Sequence, residues 1–171
     1  MEQIGDGWSP PSEVRDRVNF HWFHVVPGTS LVVMFLSLRP VWFVGHFSQG
    51  RMLRCTGDGC RRCEMGIGRQ IRYIISAVEL GTKRIGVIEI SESVSRLIQQ
   101  WAAANEGARG LIVEMRKATR SKHSRMEVSL VHERAPAWAM ALEGLDLREV
   151  LLRTWDRVEQ ELGAELVRSG G

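Results

Sequence analysis

Alternating hydrophobic and polar positions predict a chain built mostly of β-strands. Runs rich in Val, Ile, Leu, Phe and Trp are separated by glycine, proline and polar turns, which is the pattern of strands and not of long helices. The segment before residue 48 is expected to form two strands, or one long strand bent at Pro40. The expected strands cover residues 31–38, 41–47, 69–80, 84–90, 110–117 and 125–132. Gly81 and Thr82 predict a hairpin turn between two of them.

Helical spacing replaces the alternation in two places. Val94, Leu97, Ile98 and Trp101 recur at helical intervals after Ser91 or Ser93, either of which can cap the helix, so one helix face with Trp101 is assigned to the core. Further helices are expected at residues 136–142 and from Leu147 to Val167, where the second carries an apolar stripe of Val150, Leu151, Trp155, Val158, Leu162 and Leu166. We expect this stripe to pack on the rest of the chain, with docking of a protein partner as the alternative.

The order of these elements predicts a fold that is mainly β with flanking helices. Five strands with one helix between the third and the fourth is the order of the OB-fold, a small Greek-key barrel. The expected organisation is a flexible leader at residues 1–19, an OB-fold domain at 20–134 and a C-terminal helical segment at 135–171. A zinc ribbon beside an unrelated β-sheet would give a similar order and is the alternative.

Composition narrows the functional class. The chain of 171 residues has no run of eighteen uncharged apolar residues and no basic leader followed by an apolar stretch, so neither a membrane span nor a secretion signal is expected. Glycine-rich phosphate loops and nucleophile motifs are missing, and the acidic residues are scattered. We expect a protein without catalytic residues, located in the cytoplasm.

Charge is distributed unevenly along the chain. The net charge is +3, but residues 31–134 carry seventeen Lys and Arg against nine acids, and residues 135–171 carry four Arg against seven acids. A basic middle segment is typical of proteins that bind a polyanion, although ordinary fluctuation of surface charge is the simpler interpretation.

A cluster of potential metal ligands lies inside the basic segment. His46, Cys55, Cys60 and Cys63 fall within eighteen residues and include every cysteine of the chain. Thiolates with an imidazole favour one structural zinc ion, Zn²⁺, bound by all four side chains of the loop 46–63. Either His21 or His24 is an alternative fourth ligand. An iron–sulfur cluster normally needs four thiolates, and a redox pair of Cys60 and Cys63 would leave Cys55 without a role.

Basic and aromatic residues beside this loop predict binding of single-stranded nucleic acid, which requires cations for phosphates and flat side chains for bases. Trp42 and its neighbour Phe43 point to opposite faces of a strand, so one is expected in the core and the other on the surface. Tyr73 is the favoured stacking residue. The full set of candidate contacts is Trp42, Arg51, Arg54, Arg61, Arg62, Arg69, Arg72, Tyr73, Lys83, Arg84, Arg116, Lys117, Arg120 and Lys122.

The chain also resembles a known family over residues 41–132. The segments GHF, CTGDGCRRCEMG and VIEIS, with the four ligands in them, are similar to those of the zinc-containing OB-fold single-stranded-DNA-binding proteins of tailed phages and mobile elements. Those are helix-destabilising proteins of replication and recombination in bacterial or phage-infected cells. The resemblance implies that the four ligands bind one zinc and that arginines and aromatic residues hold single-stranded DNA. The ligand spacing is shorter than in the best-known members, and Tyr73 is the single tyrosine.

Two classes of function follow from the sequence. The first is a single-stranded-DNA-binding protein, with RNA as an alternative ligand because no sequence feature separates the two. The second is a zinc-scaffolded adaptor that joins proteins in a nucleoprotein complex through the helix from Leu147 to Val167.

Overall fold

One sheet of eight strands forms the body of the protein. The computed structural model describes residues 20–48, 51–118 and 126–154. The strands are β1 (His21–Phe23), β2 (Ser30–Phe35), β3 (Val41–Ser48), β4 (Arg51–Arg54), β5 (Arg69–Glu79), β6 (Ile85–Ser91), β7 (Ile112–Lys117) and β8 (Met126–Val131). The helices are α1 (Arg61–Glu64), α2 (Glu92–Ala103) and α3 (Ala137–Met140), followed by α4 at residues 147–154.

The long strand β5 organises the sheet. The strand order is β1-β6-β5-β2-β7-β8, and β3 pairs with β5 and with β4. All of these pairs are antiparallel except the parallel pair of β1 and β6. Residues 69–74 of β5 pair with β3, and residues 77–79 pair with β2. Residues 30–48 therefore form two strands on one partner, β2 and β3, and Pro40 lies in the interruption between them.

One face of the sheet packs against α2. Ser91 caps this helix by accepting a hydrogen bond from the Val94 amide over 3.4 Å, as its sequence predicts. Val94 and Ile98 are buried with Ile75 and Ile90 of the sheet in the largest apolar cluster. Trp101 packs against the same cluster, partly buried.

The opposite face packs against α4. Leu147, Val150 and Leu151 are buried with Phe43 and Ile74 of the sheet in a second apolar cluster. Packing within the chain is thus confirmed for this part of the predicted stripe. Trp155, Val158, Leu162 and Leu166 lie outside the described residues, as do the predicted leader at 1–19 and most of the turn at 118–124.

The mainly β architecture is confirmed, and a closed five-stranded barrel is not. Among the described strands, β1 and β8 form the two ends of an open sheet. Two strands were not predicted as separate elements: β1, which has three residues, and β4, which lies inside the expected metal loop.

None of the helices in the described ranges combines the length and apolar character needed to span a bilayer.

Candidate metal centre and its neighbouring surface

The sheet brings the four predicted metal ligands together. His46 lies near the end of β3, and β4 returns beside it with Leu53 in register opposite His46. The Cys55 amide then donates to the Val44 carbonyl over 2.9 Å, which keeps Cys55 close to the sheet. The side-chain donor atoms of His46, Cys55, Cys60 and Cys63 all lie within 4.8 Å of one another.

A tight turn positions Cys60 and Cys63. Gly57 and Gly59 adopt φ values of 82° and 74°, a left-handed conformation that strains any side chain with a Cβ. The Cys60 amide donates to the Gly57 carbonyl over 3.2 Å, and α1 begins immediately afterwards. Cys60 is 2% exposed, whereas Cys55 and Cys63 are half-buried.

The distances fit one tetrahedral ion. With bonds of about 2.3 Å to sulfur and about 2.0 Å to nitrogen, tetrahedral zinc places its sulfurs about 3.8 Å apart and sulfur about 3.5 Å from nitrogen. Here Cys55 Sγ and Cys63 Sγ are 3.7 Å apart. His46 Nε2 lies 3.5 Å from Cys60 Sγ and 3.4 Å from Cys63 Sγ. The four side chains would hold a single zinc ion.

His46 is oriented for this role by the backbone. Its Nδ1 lies 2.9 Å from the Ile67 carbonyl and 3.2 Å from that of Gly68, and because carbonyls only accept, Nδ1 carries the proton. Nε2 is therefore unprotonated, and its lone pair faces the thiols. His46 is fully buried. The cluster contains His46 and neither of the alternatives, since His21 lies on β1 opposite Gly86 and His24 follows that strand.

Backbone amides favour the thiolate form of two of the three cysteines. Hydrogen bonds from the backbone of Cys63 and Thr56 lower the pKa of Cys60 to about 5. A backbone hydrogen bond from Gly57 lowers the pKa of Cys55 below its usual value. Since the thiolate is the metal-binding form, these amides prepare both side chains as ligands.

Three of the predicted basic residues lie around the metal centre. Arg61 is exposed and Arg62 is half-buried, both on α1 between Cys60 and Cys63. Arg69 donates from Nε to Cys63 Sγ over 3.1 Å. Arg54 is exposed at the end of β4, and Arg51 begins that strand, with a side chain outside the described part.

Other predicted contacts lie elsewhere on the sheet or have acidic partners. Arg72 is bonded to Glu89 over 2.7 Å, and its register partner is Phe43, on the face that packs against α4. The remaining cations form no group with the metal loop: Arg84 pairs with Glu79 and Arg116 with Glu114, Lys83 lies 5.2 Å from the Trp138 ring centroid, and Lys117 is half-buried. Arg120 and Lys122 lie outside the described residues.

An apolar strip runs from the metal centre along β3 and β5. Directly opposite residues of an antiparallel pair share one face, so the register places three cross-strand pairs side by side: Trp42 with Tyr73, Val44 with Ile71, and His46 with Arg69. Trp42 is 64% exposed and Ile71 is 45% exposed. Phe43, the neighbour of Trp42 along the chain, is 7% exposed, which confirms that one of these two aromatic residues is in the core. Tyr73, the favoured stacking residue, is half-buried.

A groove continues from Tyr73, and no sequence pattern predicts it. It has a volume of about 850 Å³ and lies between α2 and the connection from β2 to β3. Tyr73, Pro40 and Ala102 contribute apolar wall, and Arg39 and Gln99 are exposed at its margin. The groove forms because α2 lies over the connection between β2 and β3. The distance between this helix and this connection is not encoded in a local sequence pattern.

Comparison of the chain with protein-family models, with curated proteins and with solved structures found no match. The chemistry of the site is therefore inferred from its residues: a closed set of metal ligands, an apolar strip beside it, and arginines near both.

Proposed function

We propose that this protein binds single-stranded DNA without catalysing a reaction and acts in replication, recombination or the processing of mobile elements. The observation that carries the proposal is the exposed indole of Trp42, opposite Tyr73 and on the strip that ends at the metal centre. Flat apolar side chains in a row beside cations are what an unpaired strand requires, because its bases and phosphates are both accessible.

The strip supports stacking of bases. Burying apolar surface stabilises a folded protein by about 25 cal/mol per Å², so an indole and an Ile71 side chain left exposed on neighbouring strands forgo that stabilisation. Contiguous exposed apolar side chains mark a binding surface more often than isolated ones do. A base stacked on an aromatic side chain contributes about 1–3 kcal/mol, largely independent of its identity.

The metal loop supports contacts to phosphates. Arg61 and Arg62 lie between two of the metal ligands, so an ion bound there would hold their backbone in place. Arg69 adds a third guanidinium at the same end of the strip. Arginine suits this position because its planar group binds phosphate through two hydrogen bonds.

An OB-type arrangement is the fold we propose for the binding domain. In this arrangement β2 and β3 together would form the first strand, and β5, β6, β7 and β8 the other four. The helix α2 lies between β6 and β7. The observed pairs of β2 with β5 and β7, of β5 with β6, and of β7 with β8 support this assignment. The metal loop then occupies the connection between the first two strands, which borders the ligand-binding face of OB-folds.

We propose a structural role for the metal. Three thiols and one imidazole complete a tetrahedral ion, so no position remains for a substrate or a reactive water. The loop 55–60 is rich in glycine and polar residues, and in the described part it has one strongly buried side chain, Cys60. A bound ion would supply the stability that such a loop cannot obtain from an apolar core.

A fluorescence anisotropy titration tests this function. Labelled oligo-dT, the matching duplex and an oligo-U strand are titrated with zinc-loaded protein at several salt concentrations. We expect the oligo-dT strand to bind more tightly than the duplex, with affinity that falls as salt rises because counterions are released. Equal binding of duplex and single strand, or no binding at low salt, would reject the proposal; preference for oligo-U would reassign the ligand to RNA.

A further inference from the structure

The groove beside α2 is separate from the metal centre but adjoins the strip. Tyr73 belongs to both: it is the register partner of Trp42 in the strip, and it lines the groove on its other side. A strand lying along the strip away from the metal therefore arrives at the mouth of this groove.

The lining of the groove suits a nucleobase. Pro40, Tyr73 and Ala102 are partly exposed and present apolar surface against which the ring faces can pack. At the margin, the amide of Gln99 can form hydrogen bonds with the polar edge of a base. The volume of about 850 Å³ lies within the range of clefts that hold small organic ligands, about 300–1,000 Å³.

The cations at the margin differ in their position relative to the strip. Arg39 is exposed on the connection that leads into β3, next to the strip, and can donate hydrogen bonds to a phosphate. Glu106 is exposed beyond the end of α2 and lies on the same side of the groove, because the Ala108 amide donates to the Leu38 carbonyl over 2.9 Å. Arg96 is bonded to Glu92 over 2.6 Å, which holds its guanidinium along the helix. Of the two lining arginines, Arg39 is therefore the one placed beside the strip.

We propose that this groove binds the base of one unpaired nucleotide, turned out of a single strand that lies on the Trp42–Tyr73 strip. This proposal rests on the proposed function and adds to it a second subsite beside the strip. The occupant is a nucleobase because the groove is continuous with the strip through Tyr73 and has a cation where the two meet. A strand bound in this way is held by one base in the groove as well as by stacking on the strip.

The test uses two neighbouring glutamines of α2. Gln99→Trp places an indole in the groove from an exposed helix position, and Gln100→Trp places the same side chain on an exposed position that does not line the groove. Both variants are checked for folding by circular dichroism. Oligo-dT strands that carry a single 2-aminopurine, moved one position at a time, report enclosure of a base by a change of its fluorescence.

With the wild-type protein we expect one or two 2-aminopurine positions to change fluorescence much more than the others. Gln99→Trp should abolish that change and weaken binding about ten-fold, the loss expected for one stacked base, while Gln100→Trp binds as wild type. If both variants bind as wild type and keep the fluorescence pattern, the groove is not the subsite, although single-strand binding stands. If the wild-type protein binds no oligonucleotide, the proposed function fails and the subsite fails with it.

Discussion

The guanidinium of Arg69 rests against a metal ligand: its Nε donates to Cys63 Sγ over 3.1 Å. Arg69 is also the cross-strand partner of His46, so the sheet itself fixes this contact. Three thiolates around a divalent ion would leave one negative charge, and the cation beside Cys63 would compensate for it. Arg69 was predicted as a contact to nucleic acid, and its position also favours a role at the candidate metal centre.

Replacing Arg69 is therefore expected to weaken metal binding. Arg69→Ala should lower the affinity for zinc about ten-fold, because groups that orient and compensate metal ligands typically contribute 10–100-fold. Competition with a chromophoric chelator measures the affinity. Arg72→Ala is the matched control, since Arg72 lies on the same strand but is bonded to Glu89. Equal zinc affinities for the two variants would refute the assigned role.

Loss of a buried ligand should be more damaging. Cys60→Ser removes the most buried of the three thiols and is expected to reduce the zinc content well below one ion per chain, with a lower melting temperature. Elemental analysis after gel filtration and a thermal melt measure both effects. Adding a chelator to the wild-type protein should lower its melting temperature in the same direction. One tightly held zinc per chain in the variant would contradict the assigned ligand set.

The exposed indole of Trp42 is expected to be the main stacking side chain. Trp42→Ala should weaken binding of oligo-dT about ten-fold, the loss of one stacked base, and should leave stability nearly unchanged because the side chain is 64% exposed. Trp138→Ala is the matched control, since Trp138 is an exposed tryptophan on α3, away from the strip. Similar anisotropy curves for the two variants would place the strand elsewhere.

Two arginines of the metal loop should account for part of the salt dependence. If Arg61 and Arg62 each contact one phosphate, Arg61→Gln with Arg62→Gln should reduce the slope of log affinity against log salt by about 1.4, at about 0.7 per contact on single strands. The zinc content should not change. Arg134→Gln, an exposed residue after β8, serves as the control. An unaltered slope in the double variant would exclude this path of the strand.

The parallel pair of β1 and β6 depends on a glycine. A Cβ at Gly86 would overlap the backbone carbonyl of His21, its register partner. Gly86→Ala should therefore displace β1 and destabilise the protein by about 1–3 kcal/mol, the usual cost of overpacking. Gly81→Ala has open space around its Cβ and should change the melting temperature little. A wild-type melting temperature for Gly86→Ala would show that β1 contributes little to stability.

The candidate metal ligands could be predicted from the sequence because of their residue types and their short spacing. Cys55, Cys60 and Cys63 are close along the chain, and left-handed glycines lie between the first two, so their convergence needs little tertiary structure. His46 was preferred over His21 and His24 because it lies just ahead of Cys55 in the chain, and the pairing of β3 with β4 confirms that it joins the three cysteines. The strands β5 to β8 and the capped helix α2 follow their hydrophobic pattern within a few residues.

Features of the fold that depend on pairing between segments distant in sequence could not be predicted from the sequence. Barrel closure is decided by which strands meet at the ends of the sheet, and the three residues of β1 carry too little alternation to predict a parallel pair with β6. Alternation separates Trp42 from Phe43 but does not say which face is covered, and the covering element, α4, begins more than a hundred residues later. The acidic partner of Arg72, Glu89 on the neighbouring strand, likewise appears only when the sheet is assembled.

The eleven residues of β5 belong to two regions of unequal local stability. Residues 69–71 are exposed beside the candidate metal centre, whereas residues 74–78 are fully buried in the core. Opening of the outer part does not require unfolding of the inner part, because protection against amide hydrogen exchange varies along a structure with local burial. Removal of the metal should therefore accelerate exchange at the start of β5 while the amides of Ile75 to Val78 stay protected. The proposed binding surface would then loosen and reorder with metal content on a core that remains folded.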